Sequence, residues 1–378
     1  MRDMTEQKRI ECVDITKGIA IIVVAISHLV FFPTVSNIVT RLFGGLMGVF
    51  FMLSSYFYKP GKGYLYNVKR RFFQVFVPFL VYNMVVLILC YIYETAMGMH
   101  PDVMNYLKTY WGRLYDSTSL TSINLRPSTG MPPAQTAVSS IMTSAIVPSW
   151  FLHRMFFSEL IFFAVADWAL KDVKRVAGTV FGLLTITVLY TQFFSVHLPL
   201  QLDSCFAIAG IMLFGSYMRQ IDCATYIETH PWDKKKTTIT SVFLALYVLA
   251  AFFLSEFFGR ALMMGRFGNI GSLSVYVWFC CQVIFFYVML FFGSLIAHVK
   301  FLSEPLKLVG KHTLMILLFH MFFGNAIGQM LTLAFGYETK PLWIAWVSVV
   351  VALGLSLLIS FARDSIKTKI ASKRQTTN

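Results

Sequence analysis

The stretch Glu11-Cys-Val-Asp14-Ile-Thr-Lys17-Gly18-Ile-Ala-Ile-Ile-Val-Val-Ala-Ile-Ser27-His28 decides how this chain is read. It is apolar enough to enter a bilayer, yet it opens on Asp14 and Lys17 and carries a histidine deep inside. Lys17 and His28 are 11 residues apart, and that many helical steps return to within about 20° of the starting direction. Both therefore project from one face, with Ile21 and Val24 between them. By helical rise the imidazole lies about 16 Å beyond the lysine, near the middle of a hydrocarbon slab about 30 Å thick. An ionisable group at that depth is costly unless it faces a polar cavity or a partner, which makes His28 a candidate functional residue. The plainer alternative is a neutral ring donating one hydrogen bond to a neighbouring helix.

Composition agrees with a membrane setting. The 378 residues are 57% hydrophobic and only 13% charged, with a mean hydropathy of +0.67. These values exclude an ordinary soluble domain and point to an all-α, polytopic membrane protein. Hydropathy places ten spans, at about 15–32, 38–58, 72–97, 150–168, 176–195, 204–218, 237–257, 270–298, 312–333 and 341–361. The net charge of +14 raises the question of nucleic acid. Its placement answers it: 24 of the 32 Lys and Arg residues fall on the set of connections that includes both termini, 7 on the other set, and Arg154 lies within a span. That is the positive-inside pattern, with both termini cytoplasmic and no nucleic-acid partner required.

The chain reads as a single membrane-embedded domain over residues 1–378, with one long external loop at about 98–149 that is rich in Ser, Thr and Pro and carries Trp111, Arg113 and Arg126. None of the six cysteines falls in that loop and no CxxC is present, so neither a disulfide framework nor a metal site is expected. The first apolar run has no small-residue cleavage site after it and reads as a retained helix. Gly44-Gly45-Leu-Met-Gly48 gives the second span a small-xxx-small spacing suited to close helix contact. Pro78 is expected to kink the third span.

Three further constellations can carry chemistry. His320 lies eight residues into the ninth span, at a depth similar to His28. The two histidines either line one cavity or make separate interhelical hydrogen bonds. Glu159 and Arg154 share the fourth span but point about 140° apart, so each needs a partner elsewhere; an intramembrane carboxylate beside a cavity can act as a base, or simply bond a neighbouring helix. Lys69-Arg70-Arg71, in the basic loop before the third span, forms a candidate phosphate clamp, or else an anchor for lipid headgroups. No Walker A, GxSxG, HExxH or GxGxxG element occurs in a suitable context, which removes support for ATP-driven pumping and for a soluble-type hydrolase.

In order along the chain, these residues resemble the acyltransferase-3 family of membrane acyltransferases. Asp14-Ile-Thr-Lys17-Gly18-Ile-Ala with His28 resembles its opening signature, a basic residue, ten others and a histidine. Phe50-Phe51-Met52-Leu53-Ser54-Ser55-Tyr56 is similar to its F-F-x-S-G-Y stretch. Lys69-Arg70-Arg71 with Pro78-Phe79, then Trp150-Phe151-Leu152, then Gly310-Lys311-His312-Thr313-Leu314 with His320, are similar to later landmarks. Two positions depart: Lys17 stands where many members have arginine, as in the branch resembling fucose 4-O-acetylase-like proteins and surface-polysaccharide acetyltransferases, and Ser55 stands where glycine is usual.

The resemblance implies about ten helices, acyl-CoA as donor, a carbohydrate hydroxyl as acceptor, a catalytic His28, and basic cytoplasmic residues near the donor. The expected roles follow. His28, Glu159 and His320 are catalytic candidates, Lys17, Lys69, Arg70 and Arg71 donor-binding, and Asp14, Trp150 and Arg154 acceptor-binding. No permanently bound cofactor is expected. Acetyl-CoA or another acyl-CoA is a donor substrate, and membrane lipids surround the whole. The implied function is O-acylation of a surface or lipid-linked glycan in a bacterial-type inner membrane. The competing class is a glycan transporter without acyl-transfer chemistry, which would use the same buried His and Glu as a proton relay.

Overall fold

The computed structural model describes residues 10–30, 45–96, 102–115, 147–194, 198–229, 233–250 and 274–376, and among them every regular element is helical. The first are α1 (Glu11–Leu29), α2 (Leu46–Tyr56), α3 (Tyr64–Arg71) and α4 (Val77–Ala96). Next come α5 (Val103–Tyr115), α6 (Trp150–Ala169), α7 (Val173–Phe193), α8 (Leu202–Gln220) and α9 (Cys223–Thr229). The last part holds α10 (Lys234–Leu249), α11 (Ser274–Ala297), α12 (Lys300–Lys311), α13 (Thr313–Ala334) and α14 (Leu342–Thr376). Among the described residues, 7 helical stretches are long and apolar enough to cross a membrane. The protein is therefore an all-α, multi-pass membrane protein.

α6 is not one of those stretches, although its 20 residues match them in length. It carries His153, Arg154, Glu159 and Asp167, which lower its hydropathy. The first three are buried, so the helix is sheathed by protein and its polar groups meet partners instead of lipid.

Packing is organised around two helices. α1 contacts α2, α11, α12, α13 and α14, while α8 contacts α2, α6 and α7. α2 joins the two groups, and Ser55 sits on that seam. Its hydroxyl donates to the Met212 carbonyl on α8 (2.6 Å), and Ser216 Oγ donates back to the Ser55 carbonyl (2.6 Å). The approach is close because Gly215 faces Met52: a Cβ at 215 would stand 2.7 Å from the Met52 carbonyl oxygen. A serine is thus accommodated at a close helix contact. The hydroxyl makes a cross-helix bond instead of leaving a clash.

α1 is held at its start by α12, an amphipathic helix between the eighth and ninth predicted spans that hydropathy alone does not reveal. A Cβ at Gly18 would lie 2.9 Å from the Leu306 carbonyl carbon, and one at Gly310 would collide with the Asp14 carbonyl. Two glycines facing opposite helices let these backbones touch. Lys307 Nζ adds an ion pair to Glu11 (3.0 Å).

Several boundaries differ from the sequence expectation. Lys69-Arg70-Arg71 is not in a loop: it ends α3, which continues through a π-helical turn at Phe72–Phe76 into α4. There the Val77 N–H reaches back five residues to Phe72, and Pro78 has no N–H to offer the next rung, so the expected irregularity takes the form of a π-bulge. The segment predicted as an external loop contains α5, which packs on α4 and buries Arg113 at 2% exposure. Arg113 donates to Asn83 Oδ1 (2.8 Å) and Ser149 Oγ (2.8 Å), an embedded polar node. Beyond the tenth predicted span, which ends at about 361, the basic, polar tail continues α14 as helix to Thr376. Gly44 and Arg126, and the start of the second span, lie outside the described residues.

Candidate active site

The basic residues converge on two adjoining clefts. The first, about 310 Å³, is lined by Lys17 and Ile21 of α1, Arg70 and Arg71 of α3, Leu152 of α6 and Leu317 of α13, among others. The second, about 330 Å³, shares Arg70 and Arg71 and adds Lys59, Lys62 and Glu159. Lys59 and Lys62 belong to a tight loop in which Gly61 (φ 88°) and Gly63 (φ 79°) take left-handed backbone. The loop is pinned by Asp167, which accepts from Tyr58 Oη (2.8 Å) and from the Gly61 N–H (3.1 Å).

The three-residue clamp does not act as a unit. Successive helical positions diverge by about 100°. Arg70 and Arg71 face the clefts, while Lys69 is exposed and lines neither. Arg71 is itself engaged: its Nε donates to Glu159 Oε2 (2.8 Å) and its Nη2 to Glu159 Oε1, a bidentate fork. Glu159, 1% exposed, borders the second cleft and takes its expected partner from another helix: both oxygens accept from Arg71, which it orients. Lys17 Nζ lies 3.8 Å from Asp14 Oδ1 and 5.6 Å from the centre of the Phe57 ring.

Deeper in the bundle the two histidines meet. The rings of His28 and His320 are 5.5 Å apart between centroids, tilted by 39°. His28 is exposed, whereas His320 is fully buried. His320 Nδ1 lies 2.9 Å from both the Ile316 and Leu317 carbonyls, so it carries the proton. Nε2 then bears the lone pair and has no hydrogen-bond partner among the described residues. A buried acceptor left unpaired costs free energy, and such atoms in native folds call for an explanation. Thr313 and Leu317, which line the basic cleft, lie seven and three residues before His320 on the same face of α13. Lys17 and Ile21, which line the same cleft, lie eleven and seven residues before His28 on the corresponding face of α1. The cleft wall and the histidine pair thus share two helix faces.

The expected acceptor group is divided. Trp150 and Arg154 are together, with the guanidinium 5.1 Å from the Trp150 ring centre and its Nε donating to Gln201 Oε1 (2.6 Å). Gln201 and Leu200 both take left-handed backbone (φ 53° and 62°), an arrangement costly for non-glycine residues and concentrated at functional sites. Asp167, at the far end of α6, binds the basic loop, so Trp150 sits about 25 Å by helical rise from that end. Asp14 is on the basic side with Lys17 and does not join Trp150 and Arg154. Gln201 had no sequence signal, nor had Lys340, whose Nζ donates to the Leu29 carbonyl (2.7 Å) and so caps α1 one residue after His28. Among the described residues no group of three His, Cys, Asp or Glu draws together as a metal site would require.

The family model for an acyltransferase domain, acyltransferase-3, matches residues 10–362. The chain belongs to the acyltransferase-3 family. The match runs from the residue before α1 almost to the end of the membrane-crossing part of α14, so it takes in both clefts and both histidines. Comparison with curated proteins and with solved structures finds no match. The protein is a membrane acyltransferase, and the matched region includes the helix that carries Lys17 and His28.

Proposed function

We propose that this acyltransferase moves an acyl group, acetyl being the simplest, from acyl-CoA to a hydroxyl of a surface or lipid-linked glycan in a bacterial-type inner membrane. One observation carries the reading: a cleft rimmed by Lys17, Arg70 and Arg71 shares its α1 and α13 walls with a histidine pair that includes an unpaired ring nitrogen. The cations of the two clefts suit the phosphates of a CoA nucleotide, and the apolar wall of Ile21, Leu152 and Leu317 suits the pantetheine arm and thioester. Arg70, Lys59 and Lys62 supply positive charge, while Arg71 is held in place by Glu159.

The chemistry needs a base for the acceptor hydroxyl and an acid for the leaving thiolate. A neutral imidazole serves both. The pair of His28 and His320 takes the hydroxyl proton as the oxygen attacks the thioester carbonyl; the C–S bond then breaks, and the imidazolium returns the proton to CoA sulfur. His320, its Nδ1–H held by two backbone carbonyls, keeps Nε2 as the fixed acceptor nitrogen, and His28 presents the exposed ring. Trp150 and Arg154 are placed to stack on and hydrogen-bond a sugar from the opposite end. Both termini are assigned to the cytoplasm on the distribution of basic residues.

The test is turnover by purified protein in liposomes: acyl-CoA supplied with a glycan acceptor should yield free CoA and an O-acylated glycan in equal amounts, the product located by mass spectrometry. Movement of glycan across the bilayer without CoA release would favour the transporter instead.

A further inference from the structure

α13 presents a second face. Thr313, Leu314 and Leu317 look into the basic cleft, whereas Met315, Leu318, Phe319 and Phe322 line a separate cleft of about 410 Å³ between α4, α13 and α14. Its inner contact is Tyr82 edge-on to Phe319 (5.5 Å). Along α4 the wall is the stripe Pro78, Val81, Val85 and Leu89, at helical spacing. The last three are 49%, 46% and 41% exposed, so the cleft opens sideways, toward the bilayer. From Val77 to Leu89 it runs about 18 Å by helical rise, the length of an extended fatty-acyl chain.

One charged residue lines it, Arg363, at the end marked by Phe73. Arg363 lies 21 residues beyond the start of α14, about 31 Å along the helix, one hydrocarbon thickness from the α13–α14 connection. Its depth is therefore that of lipid headgroups. It is partly buried and makes no ion pair or hydrogen bond among the described residues. α14 continues past it with Lys367 and Lys369 exposed, extending the basic surface.

An apolar groove of chain length, open to lipid and ending at an unpaired guanidinium at headgroup level, is complementary to an anion with a tail. We propose that this cleft binds one acyl chain of an anionic phospholipid whose phosphate is held by Arg363. A guanidinium fork matches two phosphate oxygens, which a zwitterionic headgroup offers against its own nearby cation. The acyl-CoA donor fits less well here. Its several phosphates match the clustered cations on the other face of α13, while this groove has one. The assignment does not rest on the proposed function.

The experiment is native mass spectrometry of protein released from nanodiscs of equimolar phosphatidylglycerol and phosphatidylcholine. The wild type should retain one phosphatidylglycerol in preference to phosphatidylcholine. Arg363→Gln should lower that preference by about tenfold, the loss of one charge-assisted contact. Val85→Trp should fill the groove and abolish retention of both lipids. An unchanged preference in Arg363→Gln overturns the proposal, and this rim variant decides the matter alone should Val85→Trp not fold. Displacement of the retained lipid by palmitoyl-CoA but not by a second anionic phospholipid also overturns it, by assigning the groove to a donor chain.

Discussion

The fork between Arg71 and Glu159 offers a quantitative test of how the basic clefts are built. Glu159 keeps 2% of its side chain exposed and Arg71 20%. Removing one member of a buried ion pair costs about 3–5 kcal/mol because the other charge is left desolvated. Arg71→Gln strands the more buried partner, so it should cost near that full range. Glu159→Gln strands a cation that borders two clefts and can recruit water, which lowers the expectation to about 2–4 kcal/mol. Arg71→Gln/Glu159→Gln leaves two amides able to bond each other, and its cost should fall well below the sum, with a coupling of about 2–3 kcal/mol. Reversible unfolding in mixed detergent micelles, run on the four proteins of the cycle, measures these differences. Additive costs, or single substitutions below about 0.5 kcal/mol, would refute the buried fork. The same proteins report on function: Glu159→Gln should raise KM for acyl-CoA through a loosened Arg71, whereas a carboxylate acting as base would show its loss in kcat.

Other predictions are narrower. Arg70→Gln should raise KM for acyl-CoA, while Lys69→Gln leaves it near wild type, because only Arg70 faces the clefts; equal effects in steady-state kinetics would restore the three-residue clamp. Gly310→Ala should destabilise by about 1–3 kcal/mol through overpacking against the Asp14 carbonyl, read by the same unfolding assay, and a neutral result would contradict the close α1–α12 contact. Burial pushes the Lys340 ammonium below the usual lysine range. The folded state then binds fewer protons than the unfolded one, so this residue makes stability rise as pH climbs from its folded value toward about 10.4. Lys340→Met should flatten that slope, and parallel pH profiles for the two proteins would exclude the buried cap.

Much of the architecture was readable from residue pattern, and the exceptions have physical reasons. The spacing of Lys17 and His28 put them on one face of a membrane helix, and α1 has that form. The depth of His320 suggested that it could share a cavity with His28, but only the packing of α13 on α1 shows the rings 5.5 Å apart. Glu159 needed a partner on another helix; that the partner is Arg71 depends on a contact between segments 88 residues apart, to which hydropathy is blind. α12 escaped notice because an amphipathic helix has little net hydropathy, and α5 because its polar residues resemble a loop until Arg113 is seen inside. Gln201 and Lys340 act through backbone geometry and a helix end, neither of which leaves a mark in the order of residues. Ser55 showed as a departure from the family pattern, and its cross-helix bonds explain why it is tolerated.

The central claim is that the histidine pair performs acid–base chemistry and does not merely bridge helices. The direct measurement is acceptor O-acylation per unit of folded His28→Gln protein, since glutamine keeps size and some hydrogen bonding but removes basicity. The account predicts near-normal expression and unfolding midpoint with transfer reduced by about 10²–10⁴-fold, the usual contribution of a positioned base. Specific activity close to wild type in folded His28→Gln protein would contradict it.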